Sequence, residues 1–463
     1  MSSLDTIVAL ATPPGKGSIA CIRISGPRSF ALINSLLPTA QPIEELPARK
    51  IGVCWLRDEK NAVIDQVTLV RYCAPQSYTG EHVVEVFCHG GKIIPALIVD
   101  CLCTHGARLA GPGEFTKRAL LNGKLDLIQA EAVAEIVDAE SPAHLNAVMS
   151  QLEGAFSNKL ADLRRRLVHA CALLELGLDF SEEDVEFADR AQLHRELEQL
   201  DRVLAQLLAG FNSGQACKEG LRVAIIGKPN VGKSSLMNAL LKHDRAIVSE
   251  IPGTTRDTIE ERLLINGLLF RLIDTAGIRE HMEQLEKIGS ARSRRAAAQA
   301  EVILFVSDNS GRAHRDDFAL ANECRQLQAS NGGVAIIHAR NKCDLAESPQ
   351  AFVFENGAAT SVKTSALTGA GIERLEDLLS RTVAPQAARG TEEVFFINQR
   401  QKVCLEAARK ALHAAQASLE QNLSAEFVVL DLREVIRQLE ALLGEVTSEE
   451  VLGEIFANFC IGK

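Results

Sequence analysis

The sequence has no run of about 18 or more apolar residues, the length a membrane-spanning helix needs, so no membrane span is expected in its 463 residues. Met1–Ala11 lacks a basic stretch followed by a long apolar one, which argues against a secretory signal. None of the 12 cysteines forms a C-x-x-C pair, and the closest spacing is Cys101 to Cys103. They are therefore expected as reduced thiols rather than disulfides or zinc ligands, and the chain as cytoplasmic. Excess positive charge is missing too. Fifty Lys and Arg against 60 Asp and Glu leave a net charge of −10, which argues against a broad, nonspecific nucleic-acid surface but not a local basic patch. Six acidic residues fall within Asp179–Asp189, a charge run expected to be solvated. Internal repeats and low-complexity tracts are absent.

What is present divides into segments. The length suggests about three domains, and a composition 46% hydrophobic and 24% charged is that of a soluble globular chain. Residues 1–120 read mainly as strands, at Thr6–Ala11, Ser18–Ser25, Val63–Tyr72 and His82–His89, interrupted by one helix near Lys92–Cys103. From about residue 121 the period changes. Apolar residues three and four apart, from Leu145 through Phe156 and Leu167 to Leu178, predict one long amphipathic helix, and Leu193 to Leu207 another. Residues 399–421, 425–443 and 448–459 carry further apolar stripes, which need a surface to bury against. The expected fold is multidomain, α+β and α/β: an N-terminal α+β domain (1–120), a discontinuous helical domain (121–218 and 385–463), and an inserted domain (219–384).

The inserted segment carries the chemistry. A short apolar strand, Leu221–Ile226, runs into Gly227-Lys-Pro-Asn-Val-Gly-Lys-Ser234 and then a helical run, Ser235–Leu241. Glycines let backbone N–H groups converge on phosphate oxygens, and the helix dipole favours negative charge there. Lys233 is expected to reach the β- and γ-phosphates and Ser234 to ligate Mg²⁺. Leu268–Asp274 is read as a strand ending in Asp274-Thr-Ala-Gly277, where Asp274 suits a water-mediated Mg²⁺ contact and Gly277 a γ-phosphate contact. Val334–Arg340 leads to Asn341-Lys-Cys-Asp344, whose last carboxylate can accept two hydrogen bonds from guanine, which adenine cannot match. Ser361–Ser365 leads to Ser365, Ala366 and Leu367, whose backbone would face guanine O6. Each motif on its own strand end of a parallel sheet points to GTP. Between them, Thr255 in Ser249–Asp257 is the candidate second Mg²⁺ ligand, ordered by the γ-phosphate.

Two absences shape the hydrolysis. The position after Gly277, where many small GTPases carry a water-orienting glutamine, is Ile278. No arginine stands in the phosphate loop, so charge neutralisation must come from elsewhere, and a monovalent cation held by oxygen ligands is one solution. Asn230 offers a side-chain carbonyl for it. Glu280, Glu283 and Glu286 are all candidate water-orienting carboxylates, and spacing does not choose among them.

The motifs GKPNVGKSSL, IPGTTRD, DTAG and NKCD, with DTIVALATPPG, YTGE, PGEFTKRA, NGKLDLIQAEA and the closing FCIGK, together resemble the MnmE (TrmE) family of bacterial tRNA-modification GTPases, from end to end. That resemblance implies an N-terminal tetrahydrofolate-binding domain, a discontinuous helical domain, an inserted P-loop GTPase domain, and a homodimer through the N-terminal domains. It implies GTP contacts from Asn230, Val231, Gly232, Lys233, Ser234 and Ser235 and from Ser249, Glu250, Ile251, Pro252, Gly253, Thr254 and Thr255. Further contacts are implied from Asp274, Thr275, Ala276 and Gly277, from Asn341, Lys342 and Asp344, and from Ser365, Ala366 and Leu367. It implies K⁺ held by Asn230, Ser249, Ile251 and Thr254, and Glu286 as the water-orienting residue beside Lys233 and Gly277. The implied reaction, with the FAD-containing partner MnmG, adds an aminomethyl-type group to carbon 5 of the wobble uridine of certain tRNAs. A formyl- or methylene-tetrahydrofolate would supply the one-carbon unit and be bound by Arg23, Glu81, Lys124 and Lys463, with Cys460 a candidate for the modification chemistry. Arg23, read as ending an apolar strand, suits either a ligand or a salt bridge. Glu81 and Lys124 would otherwise pass as surface residues, and Lys463 as a frayed end. Val231 stands where the family often has alanine. The alternative reading, an RNA-binding GTPase switch in ribosome assembly, would call for a basic RNA-binding appendage, and none is visible.

Overall fold

The computed structural model describes residues 5–37, 42–179, 190–243, 260–274, 300–330, 334–354, 359–387, 395–445, 449–457 and 459–463. They form two compact units. One comprises Met1–Asp138, Ser150–Leu197 and Ala407–Lys463, the other Ala139–Met149 and Glu198–Glu406.

The first unit holds a six-stranded sheet in the order β3-β4-β5-β2-β1-β6. Its strands are β1 (Ile7–Leu10), β2 (Ile19–Ser25), β3 (Ile51–Arg57), β4 (Val63–Tyr72), β5 (Val83–His89) and β6 (Arg108–Leu109). All neighbours are antiparallel except β1 and β6. Strand alternation sorts the faces: Val84, Val86 and Cys88 of β5 join Val67 and Leu69 of β4 in the core, while Glu85 and Phe87 point the other way. Leu32, Ile33, Ile98 and Leu102 cover that core, each buried side chain contributing roughly 1.5–3 kcal/mol. Among the described residues of this region, three α-helices occur, Ser29–Asn34, Ile93–Thr104 and Glu114–Leu121, rather than the one expected, and β3 and β6 are additional strands.

The expected single helix through Leu145–Leu178 is instead two, Pro142–Leu152 and Ala155–Asp179. Gly154 separates them at φ +89°, left-handed backbone that no helix interior tolerates. The Gln129 side chain donates to the Leu152 carbonyl at 3.0 Å and so satisfies one of the orphaned helix-end acceptors. Helix Leu127–Val137 begins with a reciprocal capping box between Asp126 and Gln129. Helix Ala425–Leu443 packs along helix Ala155–Asp179. Helix Glu449–Ala457 buries Leu452 and Phe456 against Leu127 and Ala130.

The second unit holds another six-stranded sheet, ordered β12-β11-β10-β7-β9-β8. Its strands are β7 (Leu221–Ile226), β8 (Glu260–Ile265), β9 (Leu268–Asp274), β10 (Val302–Asp308), β11 (Ala335–Asn341) and β12 (Thr360–Lys363). The sheet is parallel except for β8, which forms an antiparallel hairpin with β9 and makes it mixed. Both faces are apolar, as a sheet covered on both sides requires. Val302, Leu304 and Val306 of β10 pack with Leu236, Leu240, Leu375 and Leu379 on one face. Ile303 and Phe305 pack with Ala321 and Cys324 on the other. Parallel strands bring the loops after β7, β10, β11 and β12 to one sheet edge, where α/β folds bind ligands.

Candidate functional site

The loop after β7 is shaped by close approaches that exclude side chains. A Cβ at Gly227 would lie 2.3 Å from the Val306 carbonyl, and one at Gly232, whose φ is +94°, would lie 2.3 Å from Asn341 Nδ2. Asn230 is exposed at the loop's tip with φ +64°. Lys233 is buried at the start of helix Lys233–His243, and its Nζ donates to the carbonyls of Gly227 and Lys228 at 2.8 and 2.7 Å. The amine thus sits inside the loop, where a phosphate would exchange it from carbonyls to phosphate oxygens. Val231 is buried beneath the loop, and the Ser234 and Ser235 side chains are exposed.

One buried amide joins this loop to the other two. Asn341 Nδ2 donates to the Val231 carbonyl at 2.9 Å, and Asn341 Oδ1 accepts the Ala366 N–H at 3.1 Å. Asp344 Oδ1 accepts the Ser365 hydroxyl at 2.6 Å, which fixes the carboxylate's orientation. Leu367 projects outward, 86% exposed. Lys342, at φ +64°, places its amine 2.6 Å from Asp308 Oδ2. Burial alone would raise the Asp308 carboxyl, but hydrogen bonds from Lys342 and Ser310 outweigh it and hold the group below the usual carboxylate range. Asp274 pairs with Ile225 across β9 and β7, so its backbone lies beside the start of the phosphate loop. Ser249, Glu250, Ile251, Pro252, Gly253, Thr254, Thr255, Thr275, Ala276, Gly277 and Glu286 lie outside the described residues.

A second polar cluster stands in the first unit. Arg23 lies within β2 rather than at its end, and its guanidinium pairs with Glu85 at 2.9 Å. The same guanidinium lies over the rings of Tyr78 and Phe115, at 5.3 and 5.6 Å, and donates to the Gly462 carbonyl at 3.4 Å. The chain end is held rather than frayed: the Lys463 carbonyl accepts the Phe115 N–H at 3.2 Å, and the Cys460 carbonyl accepts that of Gly113 at 3.4 Å. A Cβ at Gly462 (φ +100°) would strike the Leu10 carbonyl at 2.3 Å. Burial pushes the Lys463 amine below the ordinary lysine value, with Arg23 adding to the effect. Glu81 is mostly buried, accepting from the Ser25 hydroxyl at 2.7 Å and from Arg118 at 3.1 Å. Lys124 is exposed, its stem against Gly80, and the Cys460 side chain is exposed.

Comparison with known proteins decides the family. The MnmE helical domain family matches residues 127–460, and the GTP-binding protein TrmE N-terminus family matches residues 6–124. The tRNA modification GTPase MnmE of Salinibacter ruber is 41% identical, with 100% of both chains covered. That of Flavobacterium johnsoniae is also 41% identical, again with 100% of both covered. The chain belongs to the MnmE family of tRNA-modification GTPases. Among solved structures, the G domain of the T. maritima FeoB iron transporter is 26% identical at a TM-score of 0.27, covering 35% of this chain and 98% of that one.

In this MnmE-family chain the fold adds residues that motif spacing did not single out. Asp308 ends β10 facing Lys342. Lys228, second in the phosphate loop, pairs at 2.6 Å with Asp317, whose side chain is 4% exposed. Arg118 is 7% exposed and contacts Asp5, Glu81 and Glu114, three carboxylates far apart in sequence. The only sequence sign of Arg118 was its place in the PGEFTKRA motif.

Proposed function

We propose that this chain is a potassium-activated GTPase, hydrolysing GTP to GDP and phosphate. With the FAD-dependent partner MnmG it modifies carbon 5 of the wobble uridine of certain tRNAs, using a tetrahydrofolate one-carbon unit. The observation that carries the nucleotide reading is the Asn341 clasp. It joins the phosphate loop to the loops of Asp344 and Ala366 at one sheet edge, as a ligand with phosphates at one end and guanine at the other requires. In this reading Lys233 and Gly277 contact the β- and γ-phosphates, and Asp344 selects guanine.

Hydroxyl and carboxylate oxygens form the donor set available for a hard cation, which suits Mg²⁺. Ser234 and Thr255 would hold it, with Asp274 reached through water. Mg²⁺ would neutralise triphosphate charge. Asn230 with Ser249, Ile251 and Thr254 would hold K⁺, which takes the place of the missing arginine. Glu286 orients the attacking water, a task Ile278 cannot perform.

Folate binding is assigned to Arg23, Glu81, Lys124 and Lys463. Its support is the meeting of the C-terminal segment with Arg23 and the aromatic rings of Tyr78 and Phe115, cationic and flat surfaces that suit an acidic, ring-bearing ligand. Cys460 lies three residues from Lys463 and is assigned to the modification chemistry. A homodimer through residues 1–120 is supported by edge strand β3, whose Ile51, Val53 and Trp55 are 71%, 67% and 52% exposed along one face. The reading carries with it a folate-binding domain at 1–120, a helical domain at 121–218 and 385–463, a G domain at 219–384, and a cytoplasmic location. No helix among the described residues is long and apolar enough to cross a membrane.

The purified full chain with Mg²⁺ should hydrolyse GTP much faster in KCl than in NaCl, and cells lacking the protein should lose the wobble-uridine modification. Equal rates in the two salts would remove the potassium assignment, and intact modification would remove the tRNA assignment.

A further inference from the structure

The nucleotide reading places phosphates on the loop after β7 and the base at Asp344 after β11, and β10 lies between those strands in the sheet. A nucleoside joining the two ends must pass over the C-terminal end of β10. The residue at that end is Asp308. One of its carboxylate oxygens accepts Lys342 Nζ at 2.6 Å, and the other accepts the backbone N–H and hydroxyl of Ser310 at 2.9 and 2.7 Å. The adjoining backbone is tied as well, since the Asn309 N–H donates to the Asn341 carbonyl at 2.8 Å. Lys342 is therefore held at both ends, by left-handed backbone after β11 and by its amine at β10. The two side chains are 34% and 26% exposed, so the pair lines the surface rather than lying beneath it.

We infer that Asp308 is a positioning residue for the nucleoside, fixing Lys342 as a rail across β10 on which ribose and base rest. A lysine without a partner samples many rotamers, and freezing it on binding weakens affinity; the ion pair freezes it beforehand. This inference rests on the GTP reading and names a further residue of the same site.

The test uses the full chain with Mg²⁺ and measures GDP and GTP dissociation constants by displacement of a fluorescent guanine nucleotide. Asp308→Asn and Lys342→Met should each weaken GDP and GTP alike, by about fivefold for a half-exposed pair. The Asp308→Asn/Lys342→Met double variant should be no weaker than Lys342→Met alone, because both changes remove one device. Preference for guanine over xanthine should stay unchanged. Multiplicative losses in the double variant, or unaltered affinity in Asp308→Asn beside a wild type that binds GDP, overturn the inference alone. Failure of the wild type to bind guanine nucleotides overturns the GTP reading, and this inference with it.

Discussion

Removing the Asn341 amide should dismantle the nucleotide site, because that amide ties the phosphate loop to the loops of Asp344 and Ala366. Asn341 is 2% exposed and, beside a longer 3.5 Å bond from the Thr364 hydroxyl, makes two shorter hydrogen bonds between loops, to the Val231 carbonyl and from the Ala366 N–H. Asn341→Ala loses both, each worth about 1 kcal/mol net, and leaves a carbonyl and an N–H poorly satisfied at a further cost of about 1 kcal/mol or more. The expected sum is about 3 kcal/mol. Nucleotide binding must then assemble loops that are no longer joined, so most of it should surface as lost affinity, roughly a hundredfold. Asn341→Asp sharpens the test. It keeps the acceptor for Ala366 but turns an oxygen toward the Val231 carbonyl, so it should be at least as damaging. Titration of a fluorescent GDP analogue against both variants, with chemical denaturation as a stability control, reads the effect. An Asn341→Ala affinity within about threefold of wild type would refute the clasp as an organiser of the site.

Other expectations follow from the same sites. Asp344→Asn should weaken GTP binding by about two orders of magnitude and shift preference toward xanthine, read by competition with the two nucleotides; unchanged GTP affinity would place the base pocket elsewhere. Glu286→Ala should leave GTP affinity nearly intact while steady-state hydrolysis falls about 10²- to 10⁴-fold, and near-normal turnover would remove Glu286 from the mechanism. In the first unit, burial alone would raise the Glu114 carboxyl, but hydrogen bonds from Arg108 and the Gly111 N–H outweigh it and hold it below its ordinary 4.5. A carboxyl lowered in the folded state stabilises above its unfolded value and loses that contribution as pH falls through the folded one. Thermal melts from about pH 7 to about pH 3 should therefore show an acid decline that is shallower in Arg108→Gln; an identical slope would discount the pair.

The G-domain reading was legible because parallel strands put sequence motifs at one edge, so spacing along the chain became proximity in space. Long-range partners were not legible. Nothing in the local pattern around Asp308 announces Lys342, 34 residues on. Arg118 is held by its helical neighbour Glu114 and by Asp5 and Glu81, two distant acids that only the fold brings to it. Strand β3 escaped because Gly52 weakens its strand signal, although a Cβ there would meet Leu46 Cδ1 at 2.9 Å. Its exposed Ile51, Val53 and Trp55 also invert the usual apolar-in alternation. The two helices around Gly154 look like one in the sequence because the apolar stripe stays in step across the break. Periodicity reports which face is buried, and a left-handed glycine leaves that record unchanged.

The most direct measurement is equilibrium binding of GTP, GDP and ATP to the purified full chain with Mg²⁺. Tight binding of both guanine nucleotides, with ATP failing to compete, is the expected result. Equal competition by ATP, or no binding of either guanine nucleotide, would contradict a site that grips phosphates at residues 227–234 and chooses its base at Asp344.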